Sequence, residues 1–416
     1  MKTPGHITRT SAALAAGVFF LCAFYASCAR GAAPTPGRAH RGGSGPETSD
    51  KIAFGDAGSA ATSRDQLART IAAMDARLKA RPDESASAVT LADALMRQAR
   101  VTGNAGLARR AEAALDTILA AHPDDYSALR MRATVYLSGH RFRDALREAE
   151  RARAIQPNDA WNYGAVGDAH LELGEYSDAF AAFDRMAALK PNAASYARVS
   201  YARELQGDLD AAVRLMRMAA EATSPQDAES VAWHYAQIGH LELERGRLRE
   251  AAAAYEHSAY VFPRHPLALE GLALVKAQQG DAAGALATIR SRSADTTTPS
   301  DLAIEGDLLT ALGRLDEADR AYRLAEAAWQ SDTPEPARLA RFLADHKRRV
   351  SDAVAIAEGA AKDRQDIFTM DALAWAYFQA GRVPDARAAM KAALRTGSRD
   401  TRIRLHARAI GQDARP

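Results

Sequence analysis

The chain has 416 residues, of which 47% are hydrophobic, 25% charged and only 6% aromatic, with two cysteines. Its net charge of +2 comes from Lys2 and Arg9: 54 basic residues less these two leave 52, against 52 acids. That balance excludes the concentrated basic footprint of a nucleic-acid binder, and abundant Ala, Leu, Arg and Glu favour helix.

Residues 1–29 read as an export leader. Lys2 and Arg9 precede an uncharged stretch from Thr10 to Ala29, whose most apolar part, Ala12 to Tyr25, has the length of a signal-peptide core. Three fates fit it. Ordinary cleavage would fall near Ala29 or Gly31. Tyr25-Ala26-Ser27-Cys28 resembles a lipoprotein processing site, with Cys28 as the lipidated residue, although a leucine is usual where Tyr25 stands. About 20 apolar residues also suffice for an uncleaved anchor, against which Arg30, Arg38 and Arg41 on the outer side argue mildly. Each fate attaches or exports the chain at the periplasm or cell envelope, with membrane attachment through the N-terminus in two of them. Cys22 and Cys28 both lie here, so the remainder offers no disulfide, thiol nucleophile or thiolate metal site.

Residues 30–63 are rich in Gly, Pro, Ser and Ala without sustained periodicity, as a flexible linker is. Helical spacing starts near Asp65, where Leu67, Ile71, Met74 and Leu78 share a face, and residues 64–123 form irregular N-terminal helices. From residue 126 to 398 the array is regular. An alanine recurs at Ala111, Ala145, Ala179, Ala212, Ala251, Ala285, Ala318, Ala353 and Ala386, with steps of 34, 34, 33, 39, 34, 33, 35 and 33 residues. A glycine usually stands five positions earlier, as at Gly174, Gly207, Gly246, Gly280, Gly313 and Gly381. The 39-residue step places extra residues in a longer loop after Pro225. Residues 400–410 form a capping helix with Ile403, Ala407 and Ile410 on one face and Arg404 and Arg408 on another.

A period near 34 built from two helices is one unit that cannot bury its apolar face alone, so units stack into a solenoid. The motif residues sharpen this. One unit has Tyr163, Val166, Gly167, His170, Ala179, Phe183, Met186 and Pro191; another has Tyr235, Ile238, Gly239, Glu242, Ala251, Tyr255, Ser258 and Pro263; the last has Met370, Leu373, Ala374, Tyr377, Ala386, Met390 and Ala393. These resemble tetratricopeptide repeats over residues 85–398, with departures at His170, Met186, Glu242 and Ser258. The resemblance implies an all-α, right-handed helix-turn-helix solenoid (64–410) of about eight or nine repeats. Segments such as "DALAWAYFQAGR" look like an exported bacterial subgroup without a known biochemical role.

The resemblance also implies that the first helix of each pair lines a concave groove. Positions spaced 3, 4 and 3 apart form one stripe there, which holds Trp161 and Asp168, Tyr201 and Glu204, Trp233 and His240, and Phe368 and Trp375. Three of the four tryptophans fall on it. Such residues make good partner anchors; packing on the preceding repeat is the competing role for Trp161 and Trp233. Catalytic and phosphate-binding motifs are missing, and His234 and His240, six apart, cannot share a metal through one helix. No enzyme activity, metal or cofactor is therefore expected. The expected function is a non-enzymatic scaffold at the bacterial cell envelope that recognises a protein or peptide segment in the groove. A structural subunit of an envelope assembly (secretion, pilus or polysaccharide export) and a carbohydrate-binding accessory or enzyme using groove carboxylates are the alternatives.

Overall fold

The computed structural model describes residues 58–102, 106–292, 297–330 and 335–412, so the leader, its Cys28, and the linker up to residue 57 lie outside the described residues. All regular structure among the described residues is helical. α1 (Gly58–Ala80) leads nine antiparallel pairs: α2 (Ser85–Thr102) with α3 (Gly106–Ala121), α4 (Tyr126–Ser138) with α5 (Phe142–Ile155), α6 (Ala160–Leu173) with α7 (Tyr176–Leu189), α8 (Ala193–Leu205) with α9 (Leu209–Glu221), α10 (Ala228–Glu244) with α11 (Leu248–Val261), α12 (Pro266–Gln278) with α13 (Ala282–Arg290), α14 (Pro299–Ala311) with α15 (Leu315–Trp329), α16 (Pro336–Asp345) with α17 (Val350–Asp363), and α18 (Ile367–Gln379) with α19 (Val383–Ala393). α20 (Thr401–Ile410) ends the stack.

Two boundaries differ from the sequence reading. α1 begins at Gly58, ahead of Asp65 and inside the stretch read as linker. Gly58 to Ser63 are small residues without proline, so the helix continues through them without adding the apolar spacing that would reveal it. The 39-residue step is only partly a loop. Residues 222–227 connect α9 to α10, and the surplus also lengthens α10 to 17 residues, started by Asp227, whose carboxylate accepts from Ser230 N at 3.3 Å.

The repeated alanine is the pivot of every pair. Eight of the nine are wholly buried and Ala318 is 2% exposed, so two helix axes approach closely at each. Aromatics fill the space around these contacts. The ring of Tyr255 on α11 lies between Gly239 of α10 and Gly271 of α12, and a side chain on either glycine would run into it. The short turns within pairs end with a left-handed residue, Gly174 (φ 82°) and Gly207 (φ 79°) among them, and His140 (φ 57°) and Lys347 (φ 50°) in the units that lack the glycine.

The stack curves until its C-terminal part meets its middle. Ile367 N donates to Tyr176 Oη at 2.8 Å, Arg395 donates to Gly174 O at 3.0 Å, and Thr401 N and Oγ1 each donate to Glu244 at 2.8 Å. Gly397 O abuts Gly207. One continuous buried cluster accordingly runs from Leu171, Tyr201 and Trp233 to Trp329, Phe342, Ile367 and Ile403. From α6 to α20 the solenoid is a closed ring. No helix among the described residues is long and apolar enough to cross a membrane.

Candidate functional site

The first helices of the pairs face the ring interior, where their stripe residues meet one another. Asp168 on α6 is bound by Arg198 of α8 through Nε at 2.9 Å and Nη2 at 2.7 Å, a buried fork-to-carboxylate pair. Glu204 on α8 lies 3.2 Å from His240 Nε2 on α10. Glu172, at the end of α6, takes Arg364 at 2.8 Å. On α18, Asp371 is wholly buried between His406 Nδ1 at 2.9 Å and Arg402 Nε at 3.3 Å, both from α20.

Both signs come from both sides of the interior: Asp168, Arg198, Glu204 and His240 from α6, α8 and α10, and Asp371, Arg402 and His406 from α18 and α20. Removal from water dominates the charges. Burial pushes the carboxyls of Glu172 and Glu270 up to about 7, with nearby Arg364 and Arg292 respectively opposing it. Burial and the neighbouring Arg402 bring the Arg341 guanidinium down to about 10. His240 and His406 go the other way: burial is overcome by the Glu204 and Asp371 carboxylates, and both imidazoles rise to about 9.

None of the eight groove residues expected from the sequence stands freely exposed. Tyr201 and Trp233 are each 4% exposed and belong to the closed core. Asp168 and Glu204 hold their ion-pair partners, as does His240. Trp161 is half-buried beneath the Arg130 guanidinium, 4.5 Å from its ring, so it packs on the preceding repeat. Trp375 is half-buried in a stack, 4.1 Å and 5° from His406 and 5.3 Å from Phe378, while Phe368 is half-buried beneath Arg402 at 5.9 Å. The side chains of this stripe are engaged by the chain itself. The partners Arg198, Arg402 and His406 escaped notice, although they follow their acids by 30, 31 and 35 residues, close to one repeat.

The surface that stays open is at the mouth of the ring. A cleft of about 1390 Å³ runs between α20 and the turns α8–α9, α10–α11 and α12–α13, with the end of α14 closing one side. Asp208, Asp210, Glu244 and Asp307 line it, with Arg247, Arg399, Arg404 and Arg408. Among the described residues no group of three or more His, Cys, Asp or Glu side chains is arranged to hold a metal ion.

A family model described as tetratricopeptide repeat matches residues 97–160, 130–195 and 237–295. The chain is similar to the Hsp70-Hsp90 organizing protein of Triticum aestivum, 34% identical over 99 residues, which are 23% of this chain and 17% of that protein. Among solved structures it is similar to the human IFIT1 dimer with m7Gppp-AAAA, at 13% identity and TM-score 0.51, over 76% of this chain and 72% of that one. It is also similar to the APC/C hetero-tetramer Cut9-Hcn1, at 16% identity and TM-score 0.47, over 83% of this chain and 59% of that one. The likeness to the IFIT1 structure concerns the fold alone.

Proposed function

The chain is a tetratricopeptide repeat protein, and from that premise we propose that it is a non-catalytic scaffold, exported to the bacterial cell envelope, that holds a protein partner. The observation that carries this reading is the stack of nine helix pairs. Its buried alanines, glycines and ion pairs serve helix-to-helix contact, leaving the outward rims as recognition surface. The similarity to an organizing protein supports the protein-binding class and, spanning 17% of that relative, brings no partner with it. Export rests on the leader, with lipidation at Cys28, a signal cleavage just beyond it or an uncleaved anchor as its three routes to the envelope.

Partner contact belongs to the rims and mouth of the ring, because the inner stripe is occupied by its own ion pairs. That observation favours a component of an envelope assembly that meets its neighbours by edges and ends. Photo-crosslinking in the native cell, with probes at the exposed Tyr260 (73%) and Leu315 (64%), tests the reading. A discrete protein adduct in the envelope fraction is expected. A cytosolic chain, or one that yields no protein adduct from any rim position, overturns it.

A further inference from the structure

The cleft at the mouth of the ring is unevenly paired. Its acids are engaged within the chain: Asp208 caps α9, Asp210 pairs with Arg245, Glu244 accepts from Thr401, and Asp307 accepts from Tyr322. Of its arginines, Arg245 is paired with Asp210 and Glu242 and the other four stand apart. Among the described residues, no side-chain hydrogen bond or ion pair engages Arg247, Arg399, Arg404 or Arg408. Arg404 and Arg408 stand one turn apart on α20, a spacing at which like charges weaken a helix. The packing of α20 uses Arg402, Ile403, His406, Ala407 and Ile410, which are buried. Arg404 and Arg408 thus turn to the cleft two charges that no side chain among the described residues engages.

The lining narrows the ligand. Guanidinium forks match carboxylates bidentately. Beside the arginines the 44% exposed Leu405 offers apolar surface to a side chain of the ligand. The cleft exceeds the size of small-molecule pockets and suits an extended chain. An unbroken polyanion fits less well, because Asp208, Asp210 and Asp307 would face its phosphates.

Building on the scaffold reading above, we propose that this cleft docks an extended partner segment in which acidic and apolar side chains alternate, gripped by Arg404 and Arg408 from α20 and Arg247 from the α10–α11 turn. The docked segment bridges α20 to the repeat turns, so a partner would read the closed ring and not an open stack.

The probes are a fluorescein-labelled dodecapeptide of Glu-Glu-Leu repeats, its Lys-Lys-Leu counterpart and an oligodeoxythymidine of equal length, titrated with the full chain. Only the acidic peptide is expected to bind, and more weakly as salt screens the charges. The double variant Arg404→Glu, Arg408→Glu should weaken binding at least about tenfold, the double lysine variant less, and Arg247→Ala, which leaves α20 untouched, should also weaken it. Circular dichroism of each variant should match the unaltered chain. Binding that survives charge reversal, or an oligonucleotide that binds as well as the peptide, overturns the proposal. So does a charge-reversed variant that binds no peptide but still crosslinks its native partner undiminished, and in that case the scaffold reading stands. An unaltered chain that crosslinks no protein removes the scaffold reading itself.

Discussion

At the scale of single residues, close packing and backbone propensity can be separated by two glycines. Gly239 lies in α10 where an added Cβ would sit 2.7 Å from the Tyr255 ring, which cannot retreat because Gly271 holds its other side. Gly359 lies in α17 with nothing within 4 Å of an added Cβ. Replacing a helical glycine by alanine gains about 1 kcal/mol of helix propensity, whereas overpacking costs about 1–3 kcal/mol. Gly239→Ala should therefore lower the urea-unfolding free energy and Gly359→Ala raise it; equal shifts in the two variants would refute the packing argument. This level of structure was legible in the sequence, since the alanine, the glycine and the aromatic that pack together lie within one repeat and recur at its period. The stripe residues were legible in position only. What Asp168 or Glu204 touches depends on the next repeat, and no local spacing announces Arg198 or His240 as its partner.

At the scale of elements, the turn glycines have unequal duties. Gly207 and Gly246 share the left-handed conformation, with φ of 79° and 73°, so alanine costs each about 1 kcal/mol or somewhat more of backbone strain. Gly207 also lies against Gly397 O, while Gly246 has nothing within 4 Å. Gly207→Ala is thus expected to open the ring, seen as a larger radius of gyration in solution scattering, and Gly246→Ala to leave the radius unchanged. Equal radii in the two variants would show that closure does not depend on this contact. α20 illustrates why sequence reading stopped short here. Its apolar triad Ile403, Ala407 and Ile410 announced a cap, but the inward turn of Arg402 and His406 onto Asp371 follows from where the ring brings α18, which the helix's own pattern does not encode.

For the whole molecule, the buried ionisable groups make ring stability depend on pH. His240 and His406 have folded values near 9 against an ordinary 6.5, so the stability they contribute is present below 6.5 and is lost as pH rises through 9. Glu172 and Glu270, raised from 4.5 to about 7, hold protons that the unfolded chain releases, and their contribution also declines as pH rises, mainly between 4.5 and 7. The buried, neutral His234 and His265, lowered to about 4, act oppositely: their contribution is lost as pH falls from 6.5 towards 4. The acid side therefore mixes opposing effects, and the window from pH 6.5 to 9 does not. The melting temperature should fall between pH 6.5 and 9, and the double variant His240→Gln, His406→Gln should flatten that slope; a flat profile in the unaltered chain would contradict the assignment.

The contact between Arg395 and Gly174 joins residues 221 apart, and that between Thr401 and Glu244 joins residues 157 apart. An open array can fold pair by pair as it emerges from synthesis or from a membrane pore, each unit needing only its neighbour. A ring cannot finish that way. Residues from Ile367 onward must arrive before the first joint with Tyr176 is made, and the entropy of closing so long a loop falls on that step. Arrival of α20 is thus a timing signal written into the architecture: until it docks, Asp371 lacks its two partners, and afterwards Arg402 and His406 enclose it.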